Sequence, residues 1–189
     1  MIYLRVISGE NKGKRLFAPK DMSVRPTADK IKESIFNIIG YIPEDSIVLD
    51  LFAGTGSIGI EFLCRGAEKC YFVDVAHKSI SFVKKNVALC KLEDKSLIYT
   101  MDYEKALEFF KKNNQKFDYI FADAPYHLCC GDKVIDFVLD NELLNKNGYL
   151  IIECEKSEKM FEKVDRSMVE YREKEYGITK MGILQYWEE

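Results

Sequence analysis

From residue 46 onward, short apolar runs alternate with stretches whose apolar residues recur every three or four positions. The runs at 46–52, 69–75, 96–101, 117–123 and 148–154 are nearly unbroken, and each predicts a buried strand. The stretches 57–67, 77–90, 102–114 and 132–144 have helical spacing. Continuous apolar strands separated by helices predict a parallel sheet covered on both faces, an α/β fold of the Rossmann-like kind. The tail differs, because 167–177 and 178–189 read as two strands around Gly177 with no helix between them. They predict an antiparallel C-terminal hairpin closing one sheet edge. At the other end, 4–9 and 14–19 predict a small N-terminal β-hairpin around residues 10–13. Thr27 is placed to N-cap a helix running to about Ile39, with Asp29 in its first turn. The expected organisation is an extension over 1–40 and a main domain over 41–189.

A length of 189 residues fits one domain with a small appendage. Apolar residues are 47% and charged residues 31%, which predicts an ordinary globule. No apolar run approaches the ~20 residues that cross a bilayer. The start, MIYLRVISGENKGKRL, shows no secretory pattern, so a cytoplasmic location without membrane contact is expected. The six cysteines form no C-x-x-C pair and there are two histidines, which argues against a zinc site or any other metal centre. Reduced cytosolic thiols are expected, with Cys129 and Cys130 near the functional crevice. Net charge is −3, but residues 1–32 hold eight Lys/Arg against three acids. A basic head on an acidic body suggests a localised phosphate-binding surface; a solvated charge run explains the composition equally well.

After the first strand comes Asp50-Leu51-Phe52-Ala53-Gly54-Thr55-Gly56-Ser57-Ile58-Gly59, with Asp74 ending the next strand. The glycines match G-x-G-x-x-G, and an acidic residue about 20 positions on suits a ribose, so a dinucleotide cofactor is one reading. Asp50 separates the alternatives. A pyrophosphate brought to this place would meet a repelling carboxylate. S-adenosylmethionine has no phosphate and presents an ammonium and a sulfonium, which an acid here attracts. The expected cofactor is therefore S-adenosylmethionine, held by Asp50, Phe52, Ala53, Gly54, Gly56 and Asp74. Asp102, just after the third strand, suits the adenine amine of that cofactor and equally suits an N-cap for the following helix.

After the fourth strand comes Asp123-Ala124-Pro125-Tyr126. Ligands of open α/β sheets bind outside the carboxyl ends of the strands, so this segment should face the same crevice as the glycine loop. It resembles the (Asp/Asn)-Pro-Pro-(Tyr/Phe) motif of amino-group methyltransferases. An exocyclic amine on a base is a poor nucleophile, because its lone pair is delocalised into the ring. The Asp123 carboxylate and the Ala124 carbonyl would accept its two N–H bonds and turn the lone pair toward the methyl group. Tyr126 would stack on the base and hold it in line. Alanine replaces the usual first proline, which costs rigidity but keeps the carbonyl. His127 and His77 are assigned no catalytic role.

The segments Arg5-Val6-Ile7-Ser8-Gly9, Lys12-Gly13-Lys14-Arg15-Leu16 and Val24-Arg25-Pro26-Thr27-Ala28-Asp29-Lys30, followed by DLFAGTGSIGIE, FVD and D-A-P-Y, resemble the bacterial 16S ribosomal RNA guanine-N2 methyltransferase family. The resemblance covers nearly the whole chain, and the R-P-T segment is its most specific part. It implies the seven-stranded class I methyltransferase fold, S-adenosylmethionine as donor, and N2 of a guanine in 16S RNA of the small ribosomal subunit as acceptor. It implies that Lys12, Lys14, Arg15 and Arg25 contact RNA phosphates, and that Arg25 and Thr27 border the cofactor site. A monomer is expected, since a large RNA must reach an open crevice. Other readings stay open: an adenine-N6 methyltransferase on DNA or RNA, a nucleotide-dependent oxidoreductase, and a non-catalytic RNA-binding assembly factor.

Overall fold

The structure is a computed structural model that describes residues 4–19, 26–125, 128, 130–158, 164 and 169–186, with the side chains of α1 described from residue 30 on. The elements are α1 (Pro26–Ile39), β1 (Ile47–Asp50), α2 (Ser57–Cys64), β2 (Lys69–Asp74), α3 (His77–Cys90), β3 (Ser96–Thr100), α4 (Tyr103–Lys112), β4 (Phe117–Asp123), α5 (Gly131–Asp140), β5 (Leu144–Glu155), β6 (Val169–Tyr176) and β7 (Thr179–Tyr186). They form one seven-stranded sheet in the order β3-β2-β1-β4-β5-β7-β6. Strands β1 to β5 pair in parallel, and β7 pairs antiparallel with both β5 and β6. This is the class I methyltransferase sheet, with the C-terminal hairpin at its edge. The strand order reverses between β1 and β4, which opens a crevice at their carboxyl ends.

Each face of the sheet has its own core. Helices α1, α2 and α3 cover one face, with Ile35, Phe62 and Val83 packed with Phe72, Tyr119 and Ile151. Helices α4 and α5 cover the other, with Leu107, Phe110 and Val134 packed with Leu49, Ile120 and Leu150. Three helix ends differ from the spacing-based expectation. Helix α1 begins at Pro26, so Thr27 lies within its first turn and is not the N-cap; proline's fixed φ suits the first helical position. Helix α2 stops at Cys64, and Gly66 follows at φ 118°. Helix α5 stops at Asp140, Glu142 turns left-handed at φ 50°, and Leu144 opens β5. The apolar pair Leu143-Leu144 continued the helical pattern, but both side chains are buried where the chain turns into the sheet.

The N-terminal hairpin has a single bridge, Arg5 to Arg15, and the segment docks on α2 and α3. Its polar anchors come from α1, α2 and α3. Glu61 on α2 is fully buried and accepts the N–H groups of Ile7 and Ser8, both at 2.8 Å. The Lys32 ammonium of α1 lies 3.2 Å from the same carboxylate and donates to the Arg5 carbonyl at 2.8 Å. Asn86 of α3 accepts from the Phe17 N–H at 2.7 Å, and its amide donates to the Phe17 and Thr55 carbonyls, both at 2.9 Å. Gly9 sits at φ 75° so close to α2 that an added Cβ would lie 1.7 Å from the Cys64 carbonyl oxygen. Val6 and Leu16 join the same core cluster as Ile35 and Ile151.

Candidate active site

The crevice floor is built from strand ends. Asp50 closes β1, and the chain turns through Gly54 at φ 55° and Gly56 at φ 78° into α2. Backbone bonds fix this loop: Leu51 N–H to the Phe121 carbonyl, Ala53 N–H to the Val73 carbonyl, and Gly56 N–H to the Ala53 carbonyl. Gly59 is required for another reason, because a Cβ there would fall 2.3 Å from the Phe72 ring. Its N–H donates to the Asp50 carboxylate at 3.0 Å. Asp74 accepts from Gly54 N–H at 2.9 Å and Ala76 N–H at 2.8 Å, one on each oxygen. Each oxygen keeps a second lone pair for a hydroxyl donor. Asp102 N-caps α4 through the Glu104 N–H at 2.9 Å, so the capping role is realised with one of its two oxygens. Phe52 packs against Tyr103 with ring centroids 5.3 Å apart.

The electrostatics of the floor are one-sided. Asp50 is 1% exposed, and burial pushes its carboxyl up to about 7; the Gly59 bond opposes the rise, and the charges of Asp123 and Asp74 add to it. Asp123 ends β4 in register with Glu153 of β5, so both side chains leave the same sheet face on neighbouring strands. Desolvation by the surrounding protein pushes the Asp123 carboxyl up to about 6, and part of the side chain is exposed. Burial and then the charge of Asp123 push Glu153 up to about 8. Both carboxyls of the pair are thus raised above the usual carboxylate range, Glu153 by burial and the charge of Asp123, and Asp123 by burial. Spacing along the chain did not single out Glu153; its signal is its place at the carboxyl end of the strand beside Asp123.

A buried carboxyl raised toward 7 is stabilised in its neutral form, so the sign of its pH effect is fixed. Its contribution to stability is present below the unfolded value near 3.8 and is lost as pH rises through about 7. Asp50→Asn keeps the acceptor for Gly59 and removes the charge. It is expected to stabilise the ligand-free protein at pH 8 by on the order of a few kcal/mol, with little change at pH 4. Urea midpoints at the two pH values measure this, and an equal effect at both would contradict it.

The remaining predicted residues are placed as follows. The Pro125 carbonyl accepts the Leu128 N–H at 2.9 Å, and the Ala124 carbonyl accepts no backbone bond among the described residues. Tyr126, His127, Cys129, Arg25 and the side chain of Thr27 lie outside the described residues. Cys130 is buried. Lys12 and Arg15 are exposed on the hairpin. The Lys14 ammonium donates to Asn11 at 2.6 Å and to the Leu89 carbonyl near the end of α3 at 3.1 Å. Among the described residues no group of His, Cys, Asp and Glu could hold a metal ion, and no helix is long and apolar enough to cross a membrane.

The profile of a family described as Conserved hypothetical protein 95 matches residues 4–185. The chain belongs to that family. A Bacillus subtilis protein provisionally named rRNA methyltransferase YlbH is 39% identical over 180 residues, covering 95% of this chain and 97% of the relative. Ribosomal RNA small subunit methyltransferase D of Haemophilus influenzae is 30% identical, with 96% and 93% covered. A solved structure from Haemophilus influenzae, provisionally described as a methylase, superposes with a TM-score of 0.79 at 29% identity, covering 98% and 99% of the two chains. This family member thus keeps its acidic crevice at the switch point of a methyltransferase sheet.

Proposed function

We propose that the protein transfers a methyl group from S-adenosylmethionine to the N2 amine of a guanine in 16S ribosomal RNA of the small subunit. The observation that carries this reading is the juxtaposition of Asp50, Asp74, Asp123 and Glu153 at the ends of adjacent strands, in a chain whose relatives are named as ribosomal RNA methyltransferases. The residues fit the donor. Burial favours the neutral form of the Asp50 carboxyl; a cation beside it would favour the charged form, and the donor supplies an ammonium together with an activated methyl group. Asp74 offers its remaining lone pairs to a ribose. The left-handed Gly54 and Gly56 let the backbone approach closely.

Acceptor chemistry falls to Asp123 and Ala124. The Asp123 carboxylate and the Ala124 carbonyl take the two N–H bonds of the amine, orient its lone pair, and stabilise the positive charge that develops on nitrogen. Arg25, Thr27 and Tyr126 keep their proposed roles at the donor and base, and Lys12, Arg15 and Arg25 their proposed role on RNA phosphates. The Lys14 bond to Leu89 gives that lysine a structural duty beside its proposed RNA contact.

The test is methyl transfer from labelled S-adenosylmethionine to unmethylated small subunits, their naked RNA and duplex DNA in parallel, with the product nucleoside identified. N2-methylguanosine from the subunit or its RNA is the expected product. N6-methyladenosine would overturn the base assignment, and absence of transfer by a folded, donor-binding protein would overturn the enzymatic reading.

A further inference from the structure

Helix α3 was read from the sequence only as a covering helix, yet the N-terminal hairpin is built onto it. Buried Asn86 clamps Phe17 by both backbone groups, Lys14 reaches the Leu89 carbonyl, and the Asn11 amide donates to the Cys90 carbonyl at 3.3 Å. The row Ile80, Val83, Val87 and Cys90 is buried, while Lys78, Lys84, Lys85 and Lys91 are exposed. Lys78, Phe82, Lys85 and Leu89 fall on one stripe at helical spacing, next to the row that holds Asn86. The Lys85 ammonium lies over the Phe82 ring at 5.7 Å.

Hairpin and helix together carry a charge the rest of the molecule lacks. Segments 4–19 and 77–91 contain eight Lys/Arg and a single acid, Glu10, in a chain of net charge −3. None of these four lysines, three on α3 and Lys91 just past its end, pairs with a carboxylate among the described residues. Phe17, whose backbone is bonded to Asn86 next to Lys85 in the chain, stands 51% exposed. The helix starts three residues after Asp74, at the rim of the crevice, and runs about 20 Å from Lys78 to Lys91, at 1.5 Å per residue, toward the hairpin.

We propose that the exposed face of α3 and the hairpin form one RNA-binding surface, in which Lys78, Lys84, Lys85 and Lys91 neutralise backbone phosphates and Phe17 offers an unpaired base a platform. The proposal rests on ribosomal RNA being the substrate. Exposed lysines that pair with no carboxylate among the described residues match a polyanionic backbone, and an exposed aromatic ring on the adjoining hairpin suits a single-stranded base. An acidic protein surface would use the lysines but leave Phe17 without a role.

The experiment compares wild type with the triple variant Lys78→Gln, Lys84→Gln, Lys85→Gln, in KM for unmethylated small subunits across a salt series and in affinity for their naked RNA. A matched triple variant on the opposite face, Lys105→Gln, Lys111→Gln, Lys112→Gln on α4, controls for net charge. The α3 variant is expected to raise KM tenfold or more and to reduce the slope of log KM against log salt by about two to three, since each lost phosphate contact removes about 0.7 to 0.9. Its kcat at saturation, donor affinity and melting temperature should match wild type, and the α4 variant should leave KM near the wild-type value. Phe17→Ala is expected to raise KM about tenfold with the salt slope unchanged, because stacking releases no counterion. A wild-type KM and slope in the α3 variant would overturn the proposal, as would loss of subunit binding with naked-RNA binding intact, which would assign the surface to a protein partner. Failure of wild type to methylate any RNA would instead defeat the functional reading. If the triple variant is unstable, Lys84→Gln with Lys85→Gln is the fallback, with a slope change of about one to two.

Discussion

Asp123→Ala is expected to lower kcat about 10²- to 10³-fold, the cost of removing one preorganised polar group aimed at developing charge. Asp123 ends β4 and is proposed to meet the acceptor amine while Asp50 and Asp74 are proposed to hold the donor, so its loss should fall on turnover and leave S-adenosylmethionine affinity near the wild-type value. Asp50→Asn should behave in the opposite way and weaken donor binding, because Asp50 is the buried carboxyl proposed to meet the cationic donor. Wild-type activity should fall below pH of about 6 with unit slope, as Asp123 takes up a proton and ceases to accept from the amine. Because the charge of Asp123 is the second cause of the raised Glu153 pKa, Asp123→Asn should also bring Glu153 down from about 8. Steady-state kinetics, donor titration and a pH series separate these effects. A kcat for Asp123→Ala within threefold of wild type would remove Asp123 from the chemistry.

The second large effect is structural. Glu61→Ala is expected to destabilise the protein by about 3–5 kcal/mol, the usual cost of leaving one member of a buried ion pair alone. Glu61 is fully buried, and its loss removes the carboxylate that lies 3.2 Å from the Lys32 ammonium, itself 2% exposed. The Ile7 and Ser8 N–H groups lose their acceptor in the same step. Arg65, bonded to the same carboxylate at 3.0 Å, is 19% exposed and can turn to water. Urea unfolding of Glu61→Ala, Lys32→Ala and the double variant gives the coupling, expected to exceed about 1 kcal/mol for side chains in one network. Subunit binding should fall with Glu61→Ala even where the main domain stays folded, since the hairpin loses its principal anchor. Single-variant costs below 1 kcal/mol would show that the hairpin is held by its apolar contacts.

Element order and type were legible along the chain because they rest on local periodicity. Unbroken apolar runs gave the five parallel strands, and the absence of a helix between the last two segments gave the antiparallel hairpin. The glycine loop and D-A-P-Y could be placed at strand ends for the same reason. Helix ends were less legible: apolar Leu143-Leu144 continued a helical pattern up to the residue that opens β5, and Pro26 took the place of the start assigned to Thr27.

Charge was the least legible property, because a list of residues does not say which charges face water. Lys32 was counted with the basic head, yet it is buried against Glu61. Lys14 is bonded to the Leu89 carbonyl, and α3, which carries three exposed lysines distant in the chain, is bonded to the hairpin through Asn86, Leu89 and Cys90. The sequence by itself determined the order of strands and helices, the conformational freedom of the glycine loop, and the acidic residues placed at the strand ends. Only the tertiary structure set Glu153 beside Asp123, internalised Lys32 and joined α3 to the N-terminal head. Strand register and docking are contacts between distant segments, and a residue's protonation and exposure follow from those neighbours rather than from its own type.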